Sequence, residues 1–204
     1  MKEIEKKAHV PQHRFDEIKQ RLALEYGFPE HVVAEDNYYA MPPVANHEKP
    51  RFRIRKNYNG NTMELQNIVA NTKRKQLSSS GLENNEEIEF ELLTDKDLNA
   101  FVDMMTSFGA RYWYHKRKDK WIFVCKAEVE YHLELCTLPI AGKEESFLEI
   151  EGVFDPAGLS ELEVQQAVAL ISRRIDGYFV QFGISDGVEA RAYRELMGVE
   201  YPTR

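Results

Sequence analysis

Charged and apolar residues alternate along this chain from its start: Glu3, Glu5 and Lys7 are interleaved with Ile4, Lys6 and Ala8. Side chains of an extended strand point alternately to opposite faces, so a strand over Glu3 to Val10 carries two carboxylates and an ammonium on one side. Same-face residues lie about 6.6–6.8 Å apart, and two carboxylates at that spacing repel by about 2 kcal/mol at an effective dielectric of about 20. Such a row attracts a cation; read alone, it also describes a solvated, charged N-terminus. The same period of two returns over Arg51–Tyr58, with Arg51, Arg53 and Arg55 opposite Phe52 and Ile54, and over Glu86–Leu93, with Ile88, Phe90 and Leu92 opposite Glu87, Glu89 and Glu91. It returns once more over Phe147–Phe154, which carries Glu149 and Glu151.

Other segments complete the strand set. Val32–Met41 has the aromatic and branched residues of a strand, and the three prolines of Met41–Pro50 mark a loop. Asn59-Gly60 is a hairpin signal leading into a strand over Met63–Leu77. Ala110–Cys125 is a long strand broken near Lys118-Asp119, and Glu128–Cys136 is a strand separated from the next by a loop over Thr137–Ser146. The helical period appears at Phe15, Ile18, Leu22 and Tyr26, ending at Gly27, and at Leu98, Phe101, Val102 and Met105, capped by Thr94 and Asp97 and ended by Gly109. Ser160 and Glu163 open a longer helix with Val164, Val168, Ile171, Ile175 and Phe179 on one stripe, closed by Gly183, and Gly187–Met197 reads as a last short helix.

Roughly eight hairpin-connected strands with inserted and appended helices predict an α+β fold: an antiparallel sheet, closed or strongly curved, with helices packed outside. Strands whose faces carry charges of fixed sign do not suit an ordinary packed core. If those faces turn inward they line a polar tunnel, while the alternate apolar residues pack against the outer helices. The expected organisation is one domain over 1–204, with the barrel strands largely in 1–155 and a helical part over 160–198.

Composition narrows the function. The 204 residues carry a net charge of −7, which argues against nonspecific nucleic-acid binding. There is no run of 18 apolar residues and no apolar stretch behind the charged N-terminus, so neither a membrane span nor a signal peptide is expected, and a cytoplasmic location follows. Cys125 and Cys136 show neither metal-ligand spacing nor a disulfide pattern, and the six histidines form no zinc motif. The chemistry lies in the charged faces. Four carboxylates, Glu3, Glu5, Glu149 and Glu151, make a hard-oxygen set suited to Mg²⁺ or Mn²⁺. Arg53 and Arg55 are forked donors suited to successive phosphates, and Lys116 and Lys118 repeat the arrangement; Lys116 to Lys120 also reads as a solvated hairpin tip.

In order along the chain, Glu3-Ile-Glu5-Lys6-Lys7, Arg53-Ile-Arg55, Lys116-Arg-Lys118, Phe147-Leu-Glu149-Ile-Glu151 and the C-terminal Ala192-Tyr193-Arg-Glu-Leu196 resemble the CYTH family, the triphosphate tunnel metalloenzymes. The resemblance spans nearly the whole chain. It implies a closed antiparallel eight-stranded tunnel barrel with helices packed outside, in which Glu3, Glu5, Glu149 and Glu151 hold divalent metal while Lys7, Arg53, Arg55, Lys116 and Lys118 grip a triphosphate-containing small molecule. A family lysine strand falls on Asn71–Lys75, where register leaves Arg74 and Lys75 as alternatives. Glu134 stands where the family often has aspartate, Lys118 replaces an arginine, and Ala192 replaces a serine before Tyr193. Catalytic roles fall to Lys7, Glu134 and Lys75. The implied activity is metal-dependent hydrolysis of tripolyphosphate or of a nucleoside or organic triphosphate. The alternatives are a class IV adenylyl cyclase and a noncatalytic polyphosphate- or nucleotide-binding module. The oligomeric state is left at monomer or homodimer.

Overall fold

A computed structural model describes residues 2–43, 51–77 and 83–202, and for 73–77 and 83–87 it describes the backbone alone. Nine strands and four helices follow in the order β1 (Lys2–His9), α1 (Phe15–Tyr26), β2 (Glu30–Ala40), β3 (Arg51–Asn59), β4 (Leu65–Leu77), β5 (Glu83–Leu92), α2 (Asp95–Ser107), β6 (Arg111–Lys126), β7 (Glu130–Ile140), β8 (Lys143–Phe154), α3 (Glu161–Gln181), β9 (Val188–Glu189) and α4 (Tyr193–Leu196). The strands form one antiparallel sheet in the order β5-β4-β3-β2-β6-β7-β8-β1-β9.

Helices α1, α2 and α3 cover one face of that sheet, as alternation predicts, while Tyr193 and Leu196 of α4 pack on Cys136, Leu138 and Phe147 of the other face. Phe15, Ile18 and Leu22 of α1, with Val168, Ile171, Ile175 and Phe179 of α3, pack on Ile4 and Ala8 of β1, Leu133 and Leu135 of β7, and Leu148 and Ile150 of β8. Each such side chain, fully buried, contributes roughly 1.5–3 kcal/mol of transfer free energy. A second cluster places α2 over Phe52 and Ile54 of β3 and Ile68 and Ala70 of β4. Phe52 and Ile54 therefore face a helix, and the arginines between them face the other way. Ser160 caps α3 through a reciprocal box with Glu163, and Thr94 caps α2 by accepting from the Asp97 N–H at 3.2 Å.

Four expectations are corrected. First, the sheet has nine strands rather than eight. β1 pairs with β8 through eight residues, and among the described residues it meets β5 at a single registered pair, Glu3 with Asn85. The remaining part of that edge of β1 is taken by β9, with Lys7 opposite Glu189 and Ala8 opposite Val188. Second, that pairing makes residues 188–189 strand, so the final helix is confined to Tyr193–Leu196. Third, β6 runs unbroken through Lys118-Asp119, because Lys116, Lys118 and Lys120 project to a face that supplies carboxylates. Fourth, the loop over 137–146 is a tight hairpin. Pro139 pairs with Glu144, and Ala141 and Gly142, at φ of 49° and 79°, make a two-residue turn with both central residues left-handed.

Candidate active site

The sheet face away from α1, α2 and α3 surrounds a cavity of about 740 Å³. Its wall is built by strand register. Glu5 lies opposite Glu151 and Lys7 opposite Glu149 across β1 and β8, and Glu149 lies opposite Glu134 across β8 and β7. On the other side Asp36 of β2 is the direct partner of both Arg55 on β3 and Lys116 on β6. Glu3, Glu5, Lys7, Arg53, Arg55, Lys116, Lys118, Glu134, Glu149 and Glu151 all line this one cavity. Residues up to 148 positions apart in sequence, Glu3 and Glu151, are thus neighbours along one wall.

Asp36 organises the basic side. It is fully buried, and it accepts from Arg55 Nε at 2.6 Å and Arg55 Nη2 at 3.0 Å, with Lys116 Nζ at 3.1 Å and Arg53 Nη1 at 3.8 Å. Burial alone would raise its pKa, but Arg55, Lys116 and Arg53 hold it well below the usual carboxylate range. Arg53 is steered separately, donating from Nε to the Asn71 Oδ1 at 3.0 Å. A single anion thus orients three cations whose mutual repulsion would otherwise open the site.

Lys118 organises the acidic side. Its ammonium, 3% exposed, contacts Glu134 Oε1 and Glu149 Oε2, and Lys120 Nζ donates to Glu134 Oε2 at 2.8 Å. Burial would raise the Glu134 pKa, but two ammoniums against it keep it well below the usual range. Glu149 lies against Lys118 on one side and Glu134 and Glu5 on the other, and burial, the largest influence on it, raises its pKa. Burial lowers Lys7, and it lowers Lys120 despite Glu134. Lys7 Nζ also donates to the Arg191 carbonyl, which ties β1 to the C-terminal segment. Tyr193 stands among the cations, with Lys116, Lys7 and Lys118 at 4.9, 5.3 and 5.4 Å from its ring centre.

The side chains of Arg74 and Lys75 lie outside the described residues. Sequence reasoning missed Asp36 and Lys120, and it missed Tyr38 and Tyr114, whose rings stack 4.3 Å apart at an interplanar angle of 4° and line the cavity. Lys120 was accessible to the same alternation that singled out Lys116 and Lys118. Asp36 carried no local signal, because its partners lie on two strands distant in sequence.

Glu149 Oε1 is buried without a hydrogen-bond partner among the described residues, and it sits in a wall that also carries Glu3 and Glu5 of β1, Glu151 of β8 and Glu134 of β7. An unpartnered buried carboxylate oxygen beside further hard oxygens fits Mg²⁺ or Mn²⁺.

No family model matches the sequence, and no curated protein matches it. Solved structures do. PH1819 from Pyrococcus horikoshii aligns at a TM-score of 0.67 and 20% identity over 96% of this chain and 97% of its own. A chain of the Schizosaccharomyces pombe Mediator head module aligns at 0.65 and 11% identity, over 89% and 96%. HpAC1 from Hippeastrum, named for adenylyl cyclase and showing a dominant triphosphatase activity, aligns at 0.60 and 14% identity, over 97% and 94%. The chain has a CYTH-family fold. At these identities the likeness is one of backbone architecture. Among the described residues no helix is long and apolar enough to cross a membrane.

Proposed function

We propose that this protein is a metal-dependent triphosphatase acting on tripolyphosphate or on a nucleoside or organic triphosphate. The observation that carries the reading is the convergence on one cavity of Lys7, Arg53, Arg55, Lys116, Lys118 and Lys120 against Glu3, Glu5, Glu149 and Glu151. In this reading the Glu3–Asn85 contact is the seam at which β1–β8 close into a tunnel. The triphosphatase activity of HpAC1, which shares the architecture, supports the choice of substrate class.

Each group has a role that follows from its surroundings. Arg53 and Arg55 present planar forks to adjacent phosphates, with Asn71 and Asp36 fixing their orientation. Lys116 and Lys118 neutralise charge that develops on the phosphoryl oxygens. Glu3, Glu5, Glu149 and Glu151 would hold Mg²⁺ or Mn²⁺, which when bound supplies Lewis-acid charge neutralisation at phosphate oxygens. Glu134, held ionised by two lysines, is a weak base; it positions Lys118 and Lys120. Lys7, lining the same cavity between Glu5 and Glu149, is assigned to handle the proton of an attacking water. Arg74 and Lys75 remain paired alternatives for a further phosphate contact.

A second reading is cyclisation of ATP, in which the ribose 3′-hydroxyl attacks the α-phosphate and pyrophosphate leaves. It is favoured by the stacked Tyr38 and Tyr114, which offer an aromatic surface inside the cavity. Product analysis separates the two. The purified protein is incubated with tripolyphosphate, thiamine triphosphate or ATP and Mg²⁺ or Mn²⁺. Orthophosphate from any of these supports the triphosphatase. Cyclic AMP with pyrophosphate supports the cyclase, and tight binding without turnover rejects both in favour of a binding module.

A further inference from the structure

Glu134 and Cys136 stand two residues apart on one face of β7, and Glu149 lies directly opposite Glu134 on β8. A carboxylate oxygen of each glutamate and the Cys136 Sγ lie within 4.8 Å of one another. Cys136 is fully buried, and its Sγ lies 3.7 Å from the Tyr193 hydroxyl. Glu149 is 8% exposed, and its Oε1 has no hydrogen-bond partner among the described residues. A buried thiol thus shares a pocket with a carboxylate oxygen that lacks a donor. Among the described residues no other group of three such ligands comes as close.

We propose that Glu134, Cys136 and Glu149 form a second cation site, selective for a thiophilic divalent ion of the zinc class. A carboxylate set by itself favours Mg²⁺ or Mn²⁺, whereas a thiolate among the ligands shifts preference towards Zn²⁺ and Co²⁺. Tetrahedral bonds of about 2.0–2.3 Å place donors roughly 3.3–3.8 Å apart, so rotamer adjustments of about 1 Å close the site. The thiol proton leaves to solvent as the metal–sulfur bond forms, and water completes the shell. Lys118 is the resident cation, its ammonium bridging Glu134 and Glu149, and its four-carbon stem lets it yield to a divalent competitor. Because Glu149 belongs to both ligand sets, filling this site removes one carboxylate from the hard-metal set. The zinc-class ion is therefore an inhibitor, a consequence that rests on the triphosphatase reading.

The site itself is tested without turnover. The full-length protein is titrated with Co²⁺ and followed by near-ultraviolet absorption for thiolate-to-cobalt charge transfer. The band is expected in the unmodified protein and in Cys125→Ser, and is expected to vanish in Cys136→Ser. No band at saturating Co²⁺, or a band that survives Cys136→Ser, overturns the proposal. Should Cys136→Ser fail to fold, X-ray absorption of the zinc-loaded native protein decides. One sulfur at about 2.3 Å among oxygen ligands supports the site, and an all-oxygen shell overturns it. For inhibition, Zn²⁺ should suppress Mn²⁺-dependent tripolyphosphate hydrolysis at least tenfold more strongly in the native protein than in Cys136→Ser, and equal inhibition overturns that consequence. Absence of turnover on every triphosphate would sink the triphosphatase reading alone, with the cobalt band still deciding the site.

Discussion

Asp36 sits fully buried between Arg53, Arg55 and Lys116, where one charge governs three. Removing one partner of a buried ionic group leaves the others uncompensated, at a cost of about 3–5 kcal/mol. Asp36→Asn should lose stability of that order in urea denaturation, and a loss of under about 1 kcal/mol would show that the cations are solvated instead. The pH dependence follows from the depressed pKa of Asp36. The unfolded value is about 3.9, so its stabilisation is fully present above that pH and is lost as pH falls towards the lower folded value. The stability gap between native protein and Asp36→Asn should stay flat from about pH 7 to 5 and narrow below about pH 4. A gap that already shrinks by pH 5 would contradict the assignment. Arg53 is bound to Asn71 at 3.0 Å and fills a different role. Arg53→Ala should raise KM for tripolyphosphate about tenfold, equivalent to about 1.4 kcal/mol, with a smaller change in kcat. Steady-state kinetics showing an unchanged KM would remove Arg53 from the phosphate grip. At this scale the sequence disclosed the residues whose neighbours repeat their chemistry, Glu3 with Glu5 and Arg53 with Arg55. A lone Asp36 among the aromatic and branched residues of β2 offered no such repeat.

Strands and helices were read well where periodicity is strong and poorly where turn geometry decides. Gly27 ends α1 and Gly109 follows α2 at φ of 87° and 90°, in keeping with the sequence signals. The hairpin at Ala141-Gly142 escaped notice because alanine is a poor marker of a left-handed residue, and Pro139 argued locally for a loop. The apparent break in β6 had a similar cause. A run of lysines and an aspartate reads as solvent-facing until the flanking strands β2 and β7, and β8 beyond β7, supply Asp36, Glu134 and Glu149. β8 shows how packing restricts an element further. A Cβ on Gly152 would lie 2.5 Å from Ile171 Cγ2 of α3 and 3.1 Å from the Tyr131 ring of β7. Gly152→Ala should therefore cost about 1–3 kcal/mol by pushing α3 off the sheet. Thermal denaturation showing unchanged stability would mean that this helix–sheet contact is loose.

For the whole molecule, a net charge of −7 surrounds a cavity rich in lysine and arginine, so the cationic wall is a local feature set against the overall field. Binding an anion there relieves the repulsion among those cations. Tripolyphosphate at 100 times its Kd should stabilise the fold by about 2.7 kcal/mol, read as a rise in Tm. Absence of a shift at any concentration would mean that the cavity is not an anion site. The sequence by itself determined the alternation of its strands and the amphipathic stripes of its helices. From these follow an α+β architecture, apolar faces turned to helices, and charged faces left for a shared site, because side-chain direction is set by backbone geometry. Only the tertiary structure decided how those faces meet. Register placed Glu149 opposite Glu134 and Asp36 between Arg55 and Lys116, β9 took part of the edge of β1, and the β1–β5 contact was reduced to one pair. Those outcomes depend on pairings between segments far apart in the chain, whose energies exist only once the strands are side by side.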